Sequence, residues 1–533
     1  MPTGGDALVA ALEQLDVEVA FGLPGVHNLA AWTAFPASRV RLVGVRHEQT
    51  AGYAADGWAR ATGRLGVALT TTGPGAANVV AATGEAWSAH SPLLVLATDI
   101  PTTVRRPDTF RGVLHETTDQ ASFFWPVTKA QLRVERVEEL QATIVRAGLL
   151  ALQHPRRPVY VEVPTDLLSA QVALPAAEAP ECTRPNPSGP VVDVGAAVEL
   201  LRGTSRPLIW AGGGATASCA GPLVALLAER LGAPVLTSYG GRGLLPPEHP
   251  NLVPLPPHCR EAGELWDAAD AVLVLGSDLD AMNTQGFRQP RPAQVLLVDL
   301  AEPANIDPDV HLCADVSAVL SALLPLLPAR EPWFTRPPGR AAYAGPETAF
   351  LDALESGLPE DAVVVADMCI PGYWYGGFGR VSCPRGLAYP VGWGTLGFGF
   401  PAGLGAALSN RPTVALVGDG GFLFACGDLA TAAQEQVPLT VVLVDDGGYG
   451  MLAYDFTRDG RTPVGCALEP PDFVALARAF RVAAREVTIA ELGAAVAAGI
   501  ASGAPSILVV KASYTPPPNT SPRWYRAAPA TGG

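Results

Sequence analysis

The 533 residues carry 36 Lys and Arg against 51 Asp and Glu, a net charge of −15, and 48% of them are hydrophobic. Such a chain has room for several cores and, by length, about three domains, while its negative balance disfavours nucleic acid and anionic membranes as partners. It contains no stretch of about eighteen apolar residues with membrane flanks, residues 1–6 lack a basic-then-apolar leader, and the eight cysteines form no C-x-x-C pair. A cytoplasmic protein in a reducing compartment is expected, with neither a disulfide framework nor a zinc site.

In chain order, a strand predicted over 17–21 runs into the turn Gly22-Leu23-Pro24-Gly25-Val26-His27-Asn28. A second strand over 41–45 is followed by a helix over 47–57 that is rich in Ala and Gly and opens with an acid, Glu48. An acid there complements the helix dipole whatever else it does. A strand over 65–70 leads into Thr72-Gly73-Pro74-Gly75-Ala76-Ala77-Asn78, a second glycine-bearing strand-to-helix turn. Leu114-His115-Glu116-Thr117-Thr118-Asp119-Gln120 precedes Pro126-Val127-Thr128-Lys129, and a strand follows over 159–163. His27 and His115 are candidates to touch a substrate, although a lone histidine is as often a packing or turn residue.

Residues 170–190 are rich in Ala and Pro, as are 325–346, and these two shifts divide the chain into domains at 1–167, 190–325 and 346–515. The middle one alternates strands over 207–210, 271–275 and 295–299 with helices such as 222–231, a pattern of parallel sheets covered on both faces. Its turn Gly212-Gly213-Gly214-Ala215-Thr216-Ala217 is a weak dinucleotide fingerprint, because no acid ends a second strand about 20 residues on.

The last third holds the most informative spacing. A strand over 413–417 runs into Gly418-Asp419-Gly420-Gly421, a helix is predicted over 422–436, and a strand over 441–444 ends in Asp445-Asp446-Gly447-Gly448. A right-handed crossover makes these strands parallel, so both acids lie on the edge where open α/β sheets bind ligands. Glycines let the backbone approach a ligand, and the helix start offers N–H groups to an anion. Two carboxylates beside an anion cradle suit Mg²⁺, which is commonly shared between carboxylates and phosphate oxygens.

Gly418-Asp419-Gly420 followed by Asp446 resembles the thiamine diphosphate signature, and His47-Glu48-Gln49-Thr50-Ala51 to Gly57 resembles the same family's R-H-E-x-x-A-x-x-A-A-D-G pattern. The chain departs where Asp445-Asp446 stands in place of the usual Asn-Asn, which adds negative charge beside a diphosphate. The resemblance is to the acetolactate synthase-like superfamily of thiamine diphosphate enzymes. It implies three doubly wound α/β domains with parallel sheets: pyrimidine-binding, middle Rossmann-like and diphosphate-binding. It implies that Asp419, Asp446 and the carbonyl of Gly448 bind Mg²⁺, and that Gly418, Gly420, Gly421 and Pro24 line the cofactor. Leu396, in Gly392-Trp393-Gly394-Thr395-Leu396, matches the residue that wedges between the cofactor's rings, and Glu48 matches the acid at the aminopyrimidine N1'.

The implied reaction is decarboxylation of a small-molecule 2-oxo acid with carboligation, as in acetolactate synthase. A non-ligating decarboxylase of the 5-guanidino-2-oxopentanoate type and an FAD-linked oxidase of the pyruvate oxidase kind are the alternatives. The segment typical of FAD-binding synthases is missing after Gly243, which argues against FAD. The resemblance also implies a homodimer or homotetramer with Glu48 and Asp419 of different chains in one site. The Pro-rich tail over 516–526 is a candidate cover for that site.

Overall fold

The computed structural model describes residues 1–106, 108–174 and 192–518. Cys182, most of the Ala/Pro-rich stretch 170–190 and the tail from Asn519 onward lie outside the described residues.

Seventeen strands among the described residues form three sheets. The first contains β1 (Val19–Gly22), β2 (Arg41–Gly44), β3 (Gly66–Thr70), β4 (Leu93–Asp99), β5 (Ala130–Arg133) and β6 (Val159–Pro164), in the order β2-β1-β3-β4-β6-β5. The second contains β7 (Pro207–Ala211), β8 (Val235–Thr237), β9 (Ala271–Leu275), β10 (Gln294–Val298) and β11 (Val310–Leu312), ordered β11-β10-β9-β7-β8. The third contains β12 (Val363–Ala366), β13 (Leu387–Ala388), β14 (Thr413–Gly418), β15 (Leu439–Asp445), β16 (Ala483–Glu486) and β17 (Ser506–Lys511), in the order β13-β12-β14-β15-β17-β16. Every pairing is parallel. Three parallel-sheet α/β domains are thus present, as the sequence implies.

The first and third sheets share one winding order. Each reverses direction beside its first strand, placing switch points between β1 and β3 and between β12 and β14. Ligands of open α/β sheets bind outside the carboxyl ends of the strands at that point. Central strands such as β3 and β4 are buried along their whole length, which explains their apolar runs of Val, Leu and Ala.

One predicted element is wrong. The helix expected over 422–436 is three pieces: a turn of helix at Asp419–Phe422, a 3-10 turn at Cys426–Asp428 and a helix at Leu429–Glu435. Asp428 interrupts it because its carboxylate serves the first domain instead. Its Oδ1 accepts the Arg46 N–H at 2.7 Å, and its Oδ2 accepts the Thr50 hydroxyl at 2.6 Å. The helical start therefore lies at Asp419 rather than near Phe422, putting the acid in the first turn.

The helix Glu48–Thr62 packs across the helix Gly399–Ala407 at two glycines. A Cβ on Gly57 would stand 2.0 Å from the Ala402 carbonyl oxygen, and one on Gly405 would stand 1.7 Å from that of Ala54. Only backbone fits at this crossing, so the first and third domains are held at contact distance.

Candidate active site

The first domain builds one half of the site at its switch point. Glu48 begins its helix, with His47 as N-cap, and is 6% exposed. Its Oε2 accepts a hydrogen bond from Asn78 Nδ2 at 3.0 Å. Gly75 faces the other oxygen: a Cβ there would come within 3.2 Å of Glu48 Oε1 and 2.7 Å of Thr71 Cγ2. The turn after β1 lies alongside, with Gly25 against Thr71, Pro24 exposed and Asn28 Oδ1 accepting the Gly25 N–H at 2.8 Å.

His27 and His115 meet edge to face with ring centroids 5.3 Å apart. The Nδ1 of each is buried and has no partner among the described residues. Burial and the neighbouring His115 hold His27 below the usual imidazole range, partly offset by the carboxylate of Asp99. His115 sits at φ 65°, a left-handed backbone that bulky residues seldom adopt. Gln120 fixes its loop: Oε1 accepts the Gly73 N–H at 2.6 Å, while Nε2 donates to the Thr98 carbonyl at 2.9 Å and the Tyr160 hydroxyl at 2.8 Å.

The third domain builds the other half. Asp419 is fully buried, its Oδ1 accepts the Gly420 N–H at 2.8 Å, and its Oδ2 has no partner among the described residues. Burial pushes its carboxyl up to about 6, and the negative charges of Asp446 and Asp445 add to that push. Burial likewise raises Asp446. Gly418 precedes Asp419 in extended backbone, and a Cβ on Gly420 would lie 2.7 Å from the Tyr449 ring. Gly448 pairs with Ala467 in a short bridge, where a Cβ would strike the Cys466 carbonyl oxygen at 2.1 Å.

Leu396 is half-buried in the segment between Trp393 and the helix Gly399–Ala407. Thr395 Oγ1 shares a 2.6 Å hydrogen bond with Tyr53, from the Glu48 helix. Arg60, also on that helix, pairs with Asp56 and Glu85 at 2.7 and 2.8 Å and lies over the Phe398 ring at 4.7 Å. Within one chain the two halves are therefore tied through residues 395–398, and no hydrogen bond joins Glu48 to Asp419 or Asp446 among the described residues.

The donor set fits the implied groups. A buried carboxylate oxygen without a donor, beside two further acids and a glycine turn, calls for a cation and an anion together. No cluster of three or more His, Cys, Asp or Glu able to hold a metal occurs among the described residues. Two carboxylates with a backbone carbonyl match an ion that also takes phosphate oxygens.

Sequence reasoning missed Asp367, which directly follows β12 at the same switch point and is 1% exposed. Its signal was present, a buried strand run closing on an acid, but no glycine follows to mark it. Asn78 and Gln120 stood inside quoted motifs without a role. In the middle domain, the Gly212–Gly214 turn opens on a cavity of about 420 Å³ that Asp278 and Asp299 also line, with Arg60 and Glu85 from the first domain. The acids lining this cavity thus follow the third and fourth strands of the sheet, β9 and β10, not the one about 20 residues on.

Three family models match. Residues 2–123 match the thiamine pyrophosphate enzyme N-terminal TPP binding domain, 194–323 the central domain and 371–510 the C-terminal TPP binding domain. Among curated relatives, a Pseudomonas aeruginosa protein named "Probable 2-ketoarginine decarboxylase" is 37% identical over 91% of this chain and 89% of its own length. An acetolactate synthase of Mycobacterium bovis is 30% identical over 90% of this chain and 82% of its own. A "Probable acetolactate synthase large subunit" of Methanocaldococcus jannaschii is 29% identical over 91% and 87%. In fold, the chain matches the solved thiamine diphosphate-dependent 4-hydroxybenzoylformate decarboxylase of Rhodococcus jostii at a TM-score of 0.81, with 24% identity over 96% of this chain and 99% of the other. The chain belongs to the thiamine pyrophosphate enzymes, a family whose members here act on 2-oxo acids.

Proposed function

We propose that this enzyme uses thiamine diphosphate and Mg²⁺ to decarboxylate a 2-oxo acid with a cationic guanidino end, and releases the aldehyde without joining it to a second carbonyl. Thiamine diphosphate, when bound, supplies the electron sink that takes up the bonding pair left when CO₂ departs. Asp419, Asp446 and the Gly448 carbonyl would hold Mg²⁺, and the backbone of Gly418, Gly420 and Gly421 would face the diphosphate. Leu396 would bend the cofactor between its rings and Pro24 would border the pyrimidine. Glu48 would hydrogen-bond the aminopyrimidine N1'.

The observation that carries the non-ligating reading is the pair His27 and His115, whose Nδ1 atoms are buried without a partner among the described residues, on the same edge as Glu48. Two imidazoles there can deliver a proton to the reacting carbon, and protonation ends the reaction as an aldehyde. The guanidino end is supported by the relative named as a 2-ketoarginine decarboxylase. Carboligation, which the sequence reading favoured, stands second because relatives named acetolactate synthase align over about nine-tenths of the chain.

A second copy completes the site in this reading. Val26, Leu114, Trp125, Trp393 and Phe424 are large apolar side chains left exposed around both halves, Trp125 at 77%. Exposed apolar side chains of this size are what a subunit interface would cover, and a symmetric dimer would bring Glu48 of one chain to Asp419 of the other.

The test is a panel of 2-oxo acids, from pyruvate to the 5-guanidino acid, with CO₂ and organic products followed together. Aldehyde from the guanidino acid supports the proposal; acetolactate from pyruvate moves the conclusion to the second reading. Flavin absorbance in the purified protein would revive the oxidase.

A further inference from the structure

Asp367 stands at the switch point of the third sheet, directly after β12, opposite Asp419 at the end of β14. Its Oδ1 accepts the N–H of Met368 at 2.8 Å and, from across the sheet edge, the N–H of Phe398 at 3.4 Å. The N–H groups of Gly397 and Gly399 also turn toward this carboxylate. The segment that carries Leu396 therefore ends in a ring of donors around one buried side chain.

The other oxygen faces the Gly418–Gly421 turn. Asp367 Oδ2 has no partner among the described residues, and it lies 2.8 Å from where a Cβ on Gly421 would be. Gly397, at φ 74°, closes the same contact from its side: a Cβ there would stand 2.5 Å from Phe424 Cβ and 3.2 Å from the Gly421 carbonyl oxygen. A helix cap does not account for this acid. The N-cap of the following helix, Ile370–Phe378, is Cys369, and the partners of Asp367 Oδ1 beyond Met368 come from about thirty residues later.

We propose that Asp367 is a positioning residue for the cofactor, holding the Leu396 segment by its backbone N–H groups and packing it against the Gly418–Gly421 turn so that ring bend and diphosphate are set in one geometry. This rests on the reading that Leu396 bends the cofactor and that Asp419 holds its metal. Reaction at the thiazolium needs the pyrimidine nitrogen close to C2, and small misplacements of reacting atoms cost large factors in rate.

The experiment needs no substrate. Three quantities are measured on Asp367→Ala, Asp367→Asn, Leu396→Ala and wild type: the Mg²⁺–thiamine diphosphate dissociation constant by calorimetry, hydrogen–deuterium exchange at C2 of the bound cofactor by NMR, and the melting temperature of the apoprotein. Asp367→Ala is expected to slow C2 exchange about tenfold or more in the bound fraction and to weaken binding. Asp367→Asn keeps an acceptor oxygen for the Phe398 N–H and is expected to restore exchange to within about threefold of wild type, as two acceptors of similar geometry should. If Asp367→Ala does not fold, Gly421→Ala presses on Oδ2 with the carboxylate in place, and the same slowing is expected.

A lowered apoprotein melting temperature with unchanged C2 exchange would overturn the proposal, because that is what a merely structural acid would give. Leu396→Ala separates the two failures. If it leaves C2 exchange intact, the wedge reading itself is wrong; if it slows exchange while the Asp367 and Gly421 variants do not, only the positioning role falls.

Discussion

Replacing Glu48 by Gln separates the chemical use of this acid from its structural one. The side chain is 6% exposed, begins the helix Glu48–Thr62, and takes one hydrogen bond, from Asn78 Nδ2 at 3.0 Å. Gln keeps the volume and one acceptor oxygen, so that bond can persist. What is lost structurally is a negative charge in the first helical turn, worth about 0.3–1 kcal/mol. Lost chemically is the proton relay at the aminopyrimidine, and a positioned acid or base of this kind contributes roughly 10²–10⁴ in rate, or about 3–5 kcal/mol of barrier. Glu48→Gln should therefore lower kcat by at least about a hundredfold while unfolding shifts by under about 1 kcal/mol. Cofactor affinity should stay near that of wild type, since the metal and diphosphate are held by the other domain. Steady-state CO₂ release, calorimetric titration with Mg²⁺–thiamine diphosphate and urea unfolding read the three quantities. Full turnover in this variant with cofactor bound would refute the reasoning, and so would a loss of activity matched by an equal loss of folded protein.

Three further outcomes follow from the same structure. Asp446→Asn keeps an oxygen ligand and removes one of three clustered negative charges, so calorimetry should show cofactor bound as tightly as in wild type or more so, whereas Asp419→Ala should weaken it by about a hundredfold or more, as loss of a metal ligand does. The Asp419 carboxyl, pushed up to about 6 by burial, binds a proton in the folded apoprotein between the unfolded carboxylate range near 4 and that value. The folded state thus holds more protons than the unfolded one in that window, and apoprotein stability falls as pH rises through it. Mg²⁺ must displace this proton, so cofactor affinity should drop by up to about tenfold per pH unit below pH 6, and the melting-temperature gain from Mg²⁺–thiamine diphosphate should be larger at pH 7.5 than at pH 5. At the helix crossing, Gly405→Ala would gain up to about 1 kcal/mol of helix propensity but forces a Cβ to 1.7 Å from the Ala54 carbonyl oxygen. Overpacking of that kind costs about 1–3 kcal/mol or more, so urea unfolding should show a net loss and cofactor affinity should fall as the Glu48 helix is displaced.

The parts of this protein that could be read from sequence are those in which a strand, a turn and a helix start lie next to one another in the chain. Gly418 to Gly421 after an apolar run fixes a strand end, a close backbone approach and a first helical turn within a few residues, and Asp446 repeats the strand-end pattern. Glu48 was legible for the same reason. The helix over 422–436 failed because Asp428 is spent on Arg46 and Thr50, partners nearly four hundred residues away that no local pattern reveals. Asp367 was passed over because its glycine partners, Gly397, Gly399 and Gly421, come from other segments and the residue after it is Met368. The acid beside the Gly212 turn was sought on the neighbouring strand in sequence, yet the order β11-β10-β9-β7-β8 brings Asp299, after β10, to the same cavity. Sheet order, unlike strand content, is set by packing between distant segments.

The central claim is most directly tested by the ratio of 2-oxo acid consumed to CO₂ released, with Mg²⁺ and thiamine diphosphate present and with each omitted in turn. One acid consumed per CO₂, one aldehyde formed, and no release without either cofactor is the predicted result. Two acids consumed per CO₂ would show that the product is a ligated one, and no CO₂ from any 2-oxo acid with cofactor demonstrably bound would contradict the account.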